Sequence, residues 1–307
     1  MCVSVAITTY NGSKYIEELL YSIYCQDRKP DEVVIADDCS TDNTYSIVQK
    51  FIHEKGLEKT WTVYQNNKNY GFVDNFFSCI KRTNGKIIFM CDQDDIWLNN
   101  KISSMAEILE NNNQIKALIC KEKRIDEQGK VAQKPVKETG KISQISFDKE
   151  VRTCLGAGHL LALKRELFND YVEDVKSSGL TFDVPFCLIA AAQGALYQID
   201  SNLVKRRIHS NNTSGISKNK YGVLSDKNRY IEGRKCRLAY FQYIIKNLES
   251  SISKEDKKKL KVAIEILQYS VYGLEHKKLV PLLRELLCRN QFINKKVSLA
   301  NLYMCYK

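Results

Sequence analysis

The sequence predicts an α/β fold with a mostly parallel central sheet, followed by C-terminal helices. Three observations predict it. Short apolar runs of strand length alternate with stripes of helical period through the first hundred residues. The connections between them are short, as in βαβ units. From about Asp226 the strand pattern ceases and only helical stripes between Lys/Arg faces remain.

The elements follow in order. Val3–Thr8 is a β-branched run closed by the turn signal Tyr10-Asn11-Gly12. Ile16, Leu19, Leu20 and Ile23 give Ser13–Tyr24 one apolar face. Glu32–Ala36 is a second buried strand ending in the polar loop Asp37-Asp38-Cys39-Ser40-Thr41-Asp42, which offers several N-caps. Tyr45–Ile52 reads as a helix, Trp61–Gln65 as a strand, Val73–Lys81 as a helix and Lys86–Cys91 as a strand. Asp92 to Asp95 then cap a helix expected over Ile96–Leu109 or form something less ordinary. Lys116–Lys123 and the 128–136 region read as strand and turn, and Leu155–Leu163 opens with Gly156-Ala157-Gly158. Val184–Ala192 is a buried helix and Ala195–Ile199 a strand. Helical stripes close the chain at Tyr230–Leu248, Lys257–Leu274 and Val280–Leu287. The division is 1–220 for the α/β part and 221–307 for a basic helical extension.

The chain has 307 residues and a net charge of +11, unevenly held. Residues 1–200 carry 24 Lys+Arg against 28 Asp+Glu, while residues 201–307 carry 23 against 8. The surplus of cations therefore lies in the C-terminal third, as for a partner with an anionic surface, membrane or nucleic acid. Eleven scattered cysteines without a C-x-x-C pair argue against a zinc site of ordinary spacing and for reduced thiols. Cys79, Cys91 and Cys187 sit among apolar residues and are expected in the core. No signal peptide and no run of ~20 apolar residues is evident, so a cytoplasmic location is expected, with peripheral membrane contact at most.

In parallel sheets ligands sit beyond the carboxyl ends of the strands. Those ends carry Thr8-Thr9-Tyr10-Asn11, Asp37-Asp38 and Asp92-Gln93-Asp94-Asp95, so hydroxyls and carboxylates from three strands should converge. Three carboxylates in four residues repel one another unless a cation or hydrogen-bond donors compensate. Hard oxygen ligands suit Mg²⁺ or Mn²⁺, commonly shared with a substrate phosphate. Neither a Walker A loop nor a G-x-G-x-x-G fingerprint is present.

Four segments in order, Val3 to Gly12, Val33 to Asp42, Asn69-Tyr70-Gly71-Phe72-Val73-Asp74-Asn75 and Cys91-Asp92-Gln93-Asp94-Asp95-Ile96-Trp97, resemble the inverting glycosyltransferases of family 2 over roughly residues 1–215. The Asp-Gln-Asp-Asp-x-Trp form is similar to that of rhamnosyltransferase-like members. The resemblance implies a GT-A nucleotide-sugar-binding fold and a D-x-D segment. It implies that Asp37 contacts the nucleoside base, with Thr8 and Tyr10 lining that pocket, that Asp92 meets ribose or diphosphate, and that Asp94 ligates Mn²⁺ or Mg²⁺. Asn69 shapes the donor loop with Gly71, and Asp38 reads equally as a cap. Asp183, in Leu180-Thr181-Phe182-Asp183-Val184-Pro185, stands where the family has its base, although Phe182 replaces the usual Glu or His. Arg206-Arg207-Ile208-His209 resembles the Arg-x-His segment, with His209 a second metal ligand and Arg206 or Arg207 steadying the diphosphate. Trp97, Gly158 and His159 fall on the acceptor side.

The expected partners are a nucleotide-sugar donor (dTDP-rhamnose or a UDP-hexose), a glycan or polyprenyl-linked acceptor in cell-surface polysaccharide synthesis, and the anionic inner face of a membrane. No nucleic-acid partner is expected. The rival readings are a non-catalytic sugar- or nucleotide-binding protein, a nucleic-acid-binding protein and a metal-dependent nucleotidyltransferase.

Overall fold

The computed structural model describes residues 1–131, 137–153, 155–209, 212 and 227–278. In chain order the elements begin with β1 (Val3–Thr9), α1 (Ile16–Tyr24), β2 (Glu32–Asp37), α2 (Thr44–Glu54), β3 (Trp61–Gln65), α3 (Phe72–Lys81) and β4 (Ile87–Asp92). There follow β5 (Ile96–Trp97), α4 (Lys101–Asn111), β6 (Ala117–Ile125), β7 (Ile142–Gln144), α5 (Phe147–Thr153), a 3₁₀ turn (Gly158–Leu160) and β8 (Leu161–Lys164). The described part closes with α6 (Arg165–Ser177), α7 (Asp183–Ala192), β9 (Leu196–Arg207), α8 (Lys227–Asn247) and α9 (Lys254–Glu275).

The chain divides into two units. The first, Met1–Ile145 with Leu155–His209, is built on one sheet in the order β3-β2-β1-β4-β8-β6-β9-β5, with β7 paired to β9. β3, β2, β1 and β4 are parallel, as the βαβ pattern predicts. Beyond β4 the sheet is mixed, because β8 runs antiparallel to both β4 and β6 while β9 runs parallel to β6. All seven residues of β1 are buried, which is what a strand covered on both faces requires. α3, with Phe76, Phe77 and Ile80 buried, packs against it, while α1, with Ile16, Leu19, Leu20 and Ile23 buried, meets α2 and β5. Each such side chain contributes roughly 1.5–3 kcal/mol on burial. Cys79, Cys91 and Cys187 are buried, as expected of core thiols.

Three expectations change. Asp92–Asp95 does not cap a helix over 96–109; Ile96 and Trp97 form β5 against Lys205 and Val204 of β9, and α4 starts only at Lys101. β9 extends to Arg207 rather than ending at Ile199, since Asn202 and Val204 to Arg207 pair with Lys121 to Ile125 of β6. The division falls after His209 rather than at 220 and assigns Ser146–Cys154 to the second unit. That unit holds α5, α8 and α9, the last capped by Ser253 accepting the Asp256 N–H. The helix expected at 280–287 lies outside the described residues. No helix among the described residues is long and apolar enough to cross a membrane.

Candidate active site

Register along the parallel strands sets the frame. Thr8 lies opposite Asp92 and Thr9 opposite Asp37, so the carboxyl ends of β2, β1 and β4 finish at one level. The loops above them are laced together. Gln93 accepts the Tyr10 N–H (2.8 Å) and donates to the Tyr10 carbonyl (3.0 Å). A β-carbon at Gly12 would stand 2.2 Å from Gln93 Oε1, so a larger residue there would displace the Gln93 side chain from Tyr10. Asn11, at φ +47°, accepts the Thr41 N–H through its side chain.

Asp37 is fully buried. Its carboxylate accepts from Thr9 Oγ1 (2.8 Å), Ser40 N (2.9 Å), Ser40 Oγ (2.6 Å) and Gln65 Nε2 (2.9 Å). Expected to touch a base, it instead braces the β2 loop from beneath, because its donors already come from the protein. Thr8 is buried at the strand end, and the Tyr10 ring is 45% exposed beside it. Asp38 accepts from Asn66 Nδ2, Tyr70 N and Gly71 N, which makes it the anchor of the Asn69–Gly71 turn. Asn69 Oδ1 accepts the same Gly71 N–H (2.9 Å), and Gly71 sits at φ +85°.

The acidic segment after β4 meets the end of β9. Asp94 Oδ2 lies 2.6 Å from His209 Nε2, bringing together the two residues expected to share a cation. Arg207 is 2% exposed: its backbone N–H donates to Asp95 Oδ1 (3.2 Å) and its guanidinium to the carbonyls of Asp94, Asp126 and Glu127 and to Glu18. It is a latch beneath the segment rather than a group reaching toward a ligand. Arg206, its neighbour, faces the other way and lies 3.6 Å from Glu122 Oε1.

A second group sits deeper. Asp92, Asp95 and His159 each offer one ligand atom, all within 4.8 Å of one another. Asp95 is 2% exposed, and its Oδ2 is buried with no hydrogen-bond partner. Burial, with Asp94 and Asp92 adding to it, pushes Asp95 up to about 7. Desolvation raises Asp92 as well, helped by Asp94 and Asp183 and opposed by His159 and Arg206. Burial alone would lower His159, yet Asp95, Glu122 and Asp92 hold it above its ordinary value. The carboxylate oxygens and imidazole nitrogens of these two groups suit a divalent cation such as Mn²⁺ or Mg²⁺, and the orphaned Asp95 oxygen fits one too.

Asp183 opens α7. Its Oδ2 accepts the Gly158 N–H (3.0 Å) and its Oδ1 the Val184 N–H (2.9 Å). Phe182, the departure from the family pattern, packs tilted against Phe76 at 4.3 Å between centroids. A β-carbon at Gly158 would come 2.8 Å from that ring, so the glycine makes room for Phe182. Two other acceptor-side expectations also change. Trp97 is 2% exposed, its ring tilted at 51° against Phe89, with the buried Lys101 Nζ 3.6 Å from its ring centre. His159 is buried, and its Nε2 bonds Glu122.

Sequence reasoning passed over Glu122, on β6. It faces His159 Nε2 (2.8 Å), Arg124 Nε (3.1 Å) and Arg206. Burial would raise this carboxyl, but His159, Arg206 and Arg124 bring it to about 2. In the sequence it is one charge in the run Lys121-Glu122-Lys123-Arg124, which reads as a solvated strand face.

Comparison with known proteins gives a consistent picture. The model of "Glycosyl transferase family 2" matches residues 4–172. An uncharacterized glycosyltransferase of Rickettsia bellii is 27% identical over 224 residues, 71% of this chain and 30% of that protein. The poly(ribitol-phosphate) beta-N-acetylglucosaminyltransferase TarS of Staphylococcus aureus is 35% identical over 141 residues, 45% of this chain and 24% of TarS. The matches thus span well under half the length of these relatives. Among solved structures, TarS 1–349 with UDP-GlcNAc superposes with a TM-score of 0.58 at 18% identity, covering 99% of this chain and 90% of that one. The mannosyltransferase PcManGT of Pyrobaculum calidifontis, with GDP-Man and Mn²⁺, gives 0.56 at 17%, covering 99% and 86%. These likenesses establish the fold as GT-A.

Proposed function

The chain belongs to glycosyl transferase family 2, and on that premise we propose that it moves a sugar from a nucleotide-sugar donor to a glycan acceptor with inversion at the anomeric carbon. The observation that carries the reading is the 2.6 Å approach of Asp94 and His209 at the mouth of a carboxylate crevice, with Asp183 acting on the same Asp92 electrostatically. Asp94 and His209 would hold a Mn²⁺ or Mg²⁺ ion, whose positive charge would offset that of the departing diphosphate. Thr8 and Tyr10 line the nucleoside pocket, braced by Asp37, and Asn69 borders it. Asp92 meets the ribose or diphosphate. Arg206, rather than the buried Arg207, steadies the diphosphate.

Asp183 takes the proton of the acceptor hydroxyl as its oxygen forms the bond to the anomeric carbon. The bond from that carbon to the diphosphate breaks on the opposite face, and its electron pair leaves with the diphosphate. Both Asp183 oxygens already accept a backbone N–H, which fixes their direction.

For the donor, the likeness to TarS supports a UDP-activated hexose or hexosamine, and the Asp-Gln-Asp-Asp-Ile-Trp segment supports dTDP-rhamnose. The acceptor is a cell-surface glycan, presented at an anionic membrane by a polyprenyl lipid, and the Lys-rich α9 is the element suited to meet that membrane. A panel of UDP-, dTDP- and GDP-sugars with Mn²⁺ tests the reading. Release of a nucleoside diphosphate is expected from one of the first two groups. Release of pyrophosphate would make the chain a nucleotidyltransferase, and no turnover of any sugar nucleotide would favour a binding protein.

A further inference from the structure

Glu122 makes three contacts that no part of the reaction above explains. It stands on β6, opposite Val204 of β9 in the parallel pairing, two residues before the Arg124–Arg206 pair. Its side chain is 15% exposed, and it gathers one ring nitrogen and two guanidinium groups from three places in the chain. The contact with His159 is the most consequential. A carboxylate only accepts hydrogen bonds, and a neutral imidazole carries its one proton on either Nδ1 or Nε2. The 2.8 Å contact to Glu122 is made by Nε2, so the proton belongs there. Nδ1 then presents a lone pair, and it lies 3.7 Å from Asp92 Oδ2.

Asp92, Asp95 and His159 each offer one ligand atom within 4.8 Å of the others, and Asp95 Oδ2 is buried without a hydrogen-bond partner. An acidic cluster by itself says little, since water or surrounding donors can satisfy it. Here a carboxylate oxygen is withdrawn from water and from every hydrogen-bond donor, and the ring nitrogen that Glu122 leaves free is the one nearer Asp92. The buried Lys101 spends its ammonium on the His159 carbonyl (2.7 Å) and the Trp97 ring.

We propose that Glu122 is a positioning residue: it fixes the Nε2–H tautomer of His159, so that Nδ1 joins Asp92 and Asp95 in an oxygen–oxygen–nitrogen seat for a divalent cation at the floor of the crevice. This rests on the reading of the crevice as a cation-dependent donor site, but it concerns different atoms from the Asp94–His209 pair. A carboxylate behind a ligating histidine orients the ring and makes it a better ligand, and its loss typically costs about 10–100-fold in metal affinity.

The test uses the full chain, Mn²⁺ alone as the probe, and histidine-selective ¹⁵N labelling. The protein has four histidines, and a His159→Gln variant identifies the resonances of His159. At alkaline pH the wild-type His159 ring should show the Nε2–H pattern of nitrogen shifts. Glu122→Ala should abolish that preference and weaken one class of Mn²⁺ sites by about 10–100-fold in calorimetry. Glu122→Gln, whose side-chain oxygen can still accept the Nε2–H, should restore the tautomer and most of the affinity, which a loss of bulk packing would not explain. A wild-type ring protonated on Nδ1 would overturn the proposal even if Glu122→Ala failed to fold. So would Mn²⁺ binding that Glu122→Ala leaves unchanged. Asp94→Ala separates the two readings: if it removes all Mn²⁺ binding while Glu122→Ala removes none, this proposal falls and the Asp94–His209 assignment stands.

Discussion

Asp94 Oδ2 and His209 Nε2 are 2.6 Å apart although 115 positions separate them in sequence. β5 and β9 make this possible, because their antiparallel pairing brings the end of β9 back across the acidic segment. Two ligands that serve one cation should fail together. Asp94→Ala and His209→Ala are each expected to lower Mn²⁺-dependent UDP affinity by about 10–100-fold. The double variant should be little worse than the weaker single one, since the residues share one partner. Calorimetry with and without chelator reads this directly; additive losses would mean that they act separately.

The adjacent arginines should separate by phenotype. Arg207 is buried under the acidic segment with protein oxygens on its guanidinium, so Arg207→Ala should cost on the order of 3 kcal/mol of stability in urea melts. Arg206→Ala should melt near the wild-type temperature while weakening UDP binding. The reverse pattern would exchange their roles.

Gly158→Ala places a methyl group 2.8 Å from a Phe182 ring already packed against Phe76. Overpacking of this kind costs about 1–3 kcal/mol. Because the Gly158 N–H also holds Asp183, turnover should fall by more than the stability loss explains. Phe182→Leu in the same chain should recover stability by making room; no recovery would show that the clash is not with this ring.

Stability should depend on acid pH through Glu110. Its carboxylate forms a two-pronged pair with Arg28 at 2.9 and 2.7 Å. That hydrogen bonding brings it from 4.5 to about 2. A carboxyl lowered in the fold stabilises it above the unfolded value, and the contribution fades as pH falls from 4.5 toward 2. Glu110→Gln is therefore expected to lose at most about 1 kcal/mol at neutral pH, the pair being partly exposed, and to converge with wild type near pH 2 in urea melts. A difference that persisted there would point to packing instead.

Much of the crevice was legible because parallel strands are buried on both faces and end together. A β-branched run followed by Thr8-Thr9, Asp37-Asp38 or Asp92 to Asp95 therefore places its polar end at the ligand edge. Asp94 and His209 came from motif resemblance, and the fold joined them. What could not be read depends on pairing between distant strands. Trp97 looked available until β5 paired with β9 and buried it beside Lys101. Arg206 and Arg207 are indistinguishable in sequence, and the alternation of β9 turns one inward. Glu122 lay hidden in a charged run because its partners come from the 3₁₀ turn and from β9.

The central claim is sugar transfer with Asp183 as base. The most direct measurement is nucleoside diphosphate release from the preferred sugar nucleotide, with acceptor and Mn²⁺, by wild type and Asp183→Asn. The account predicts that the variant binds the nucleotide within a few-fold of wild type but turns over about 10²–10⁴ times more slowly. Equal turnover by the two proteins would contradict it.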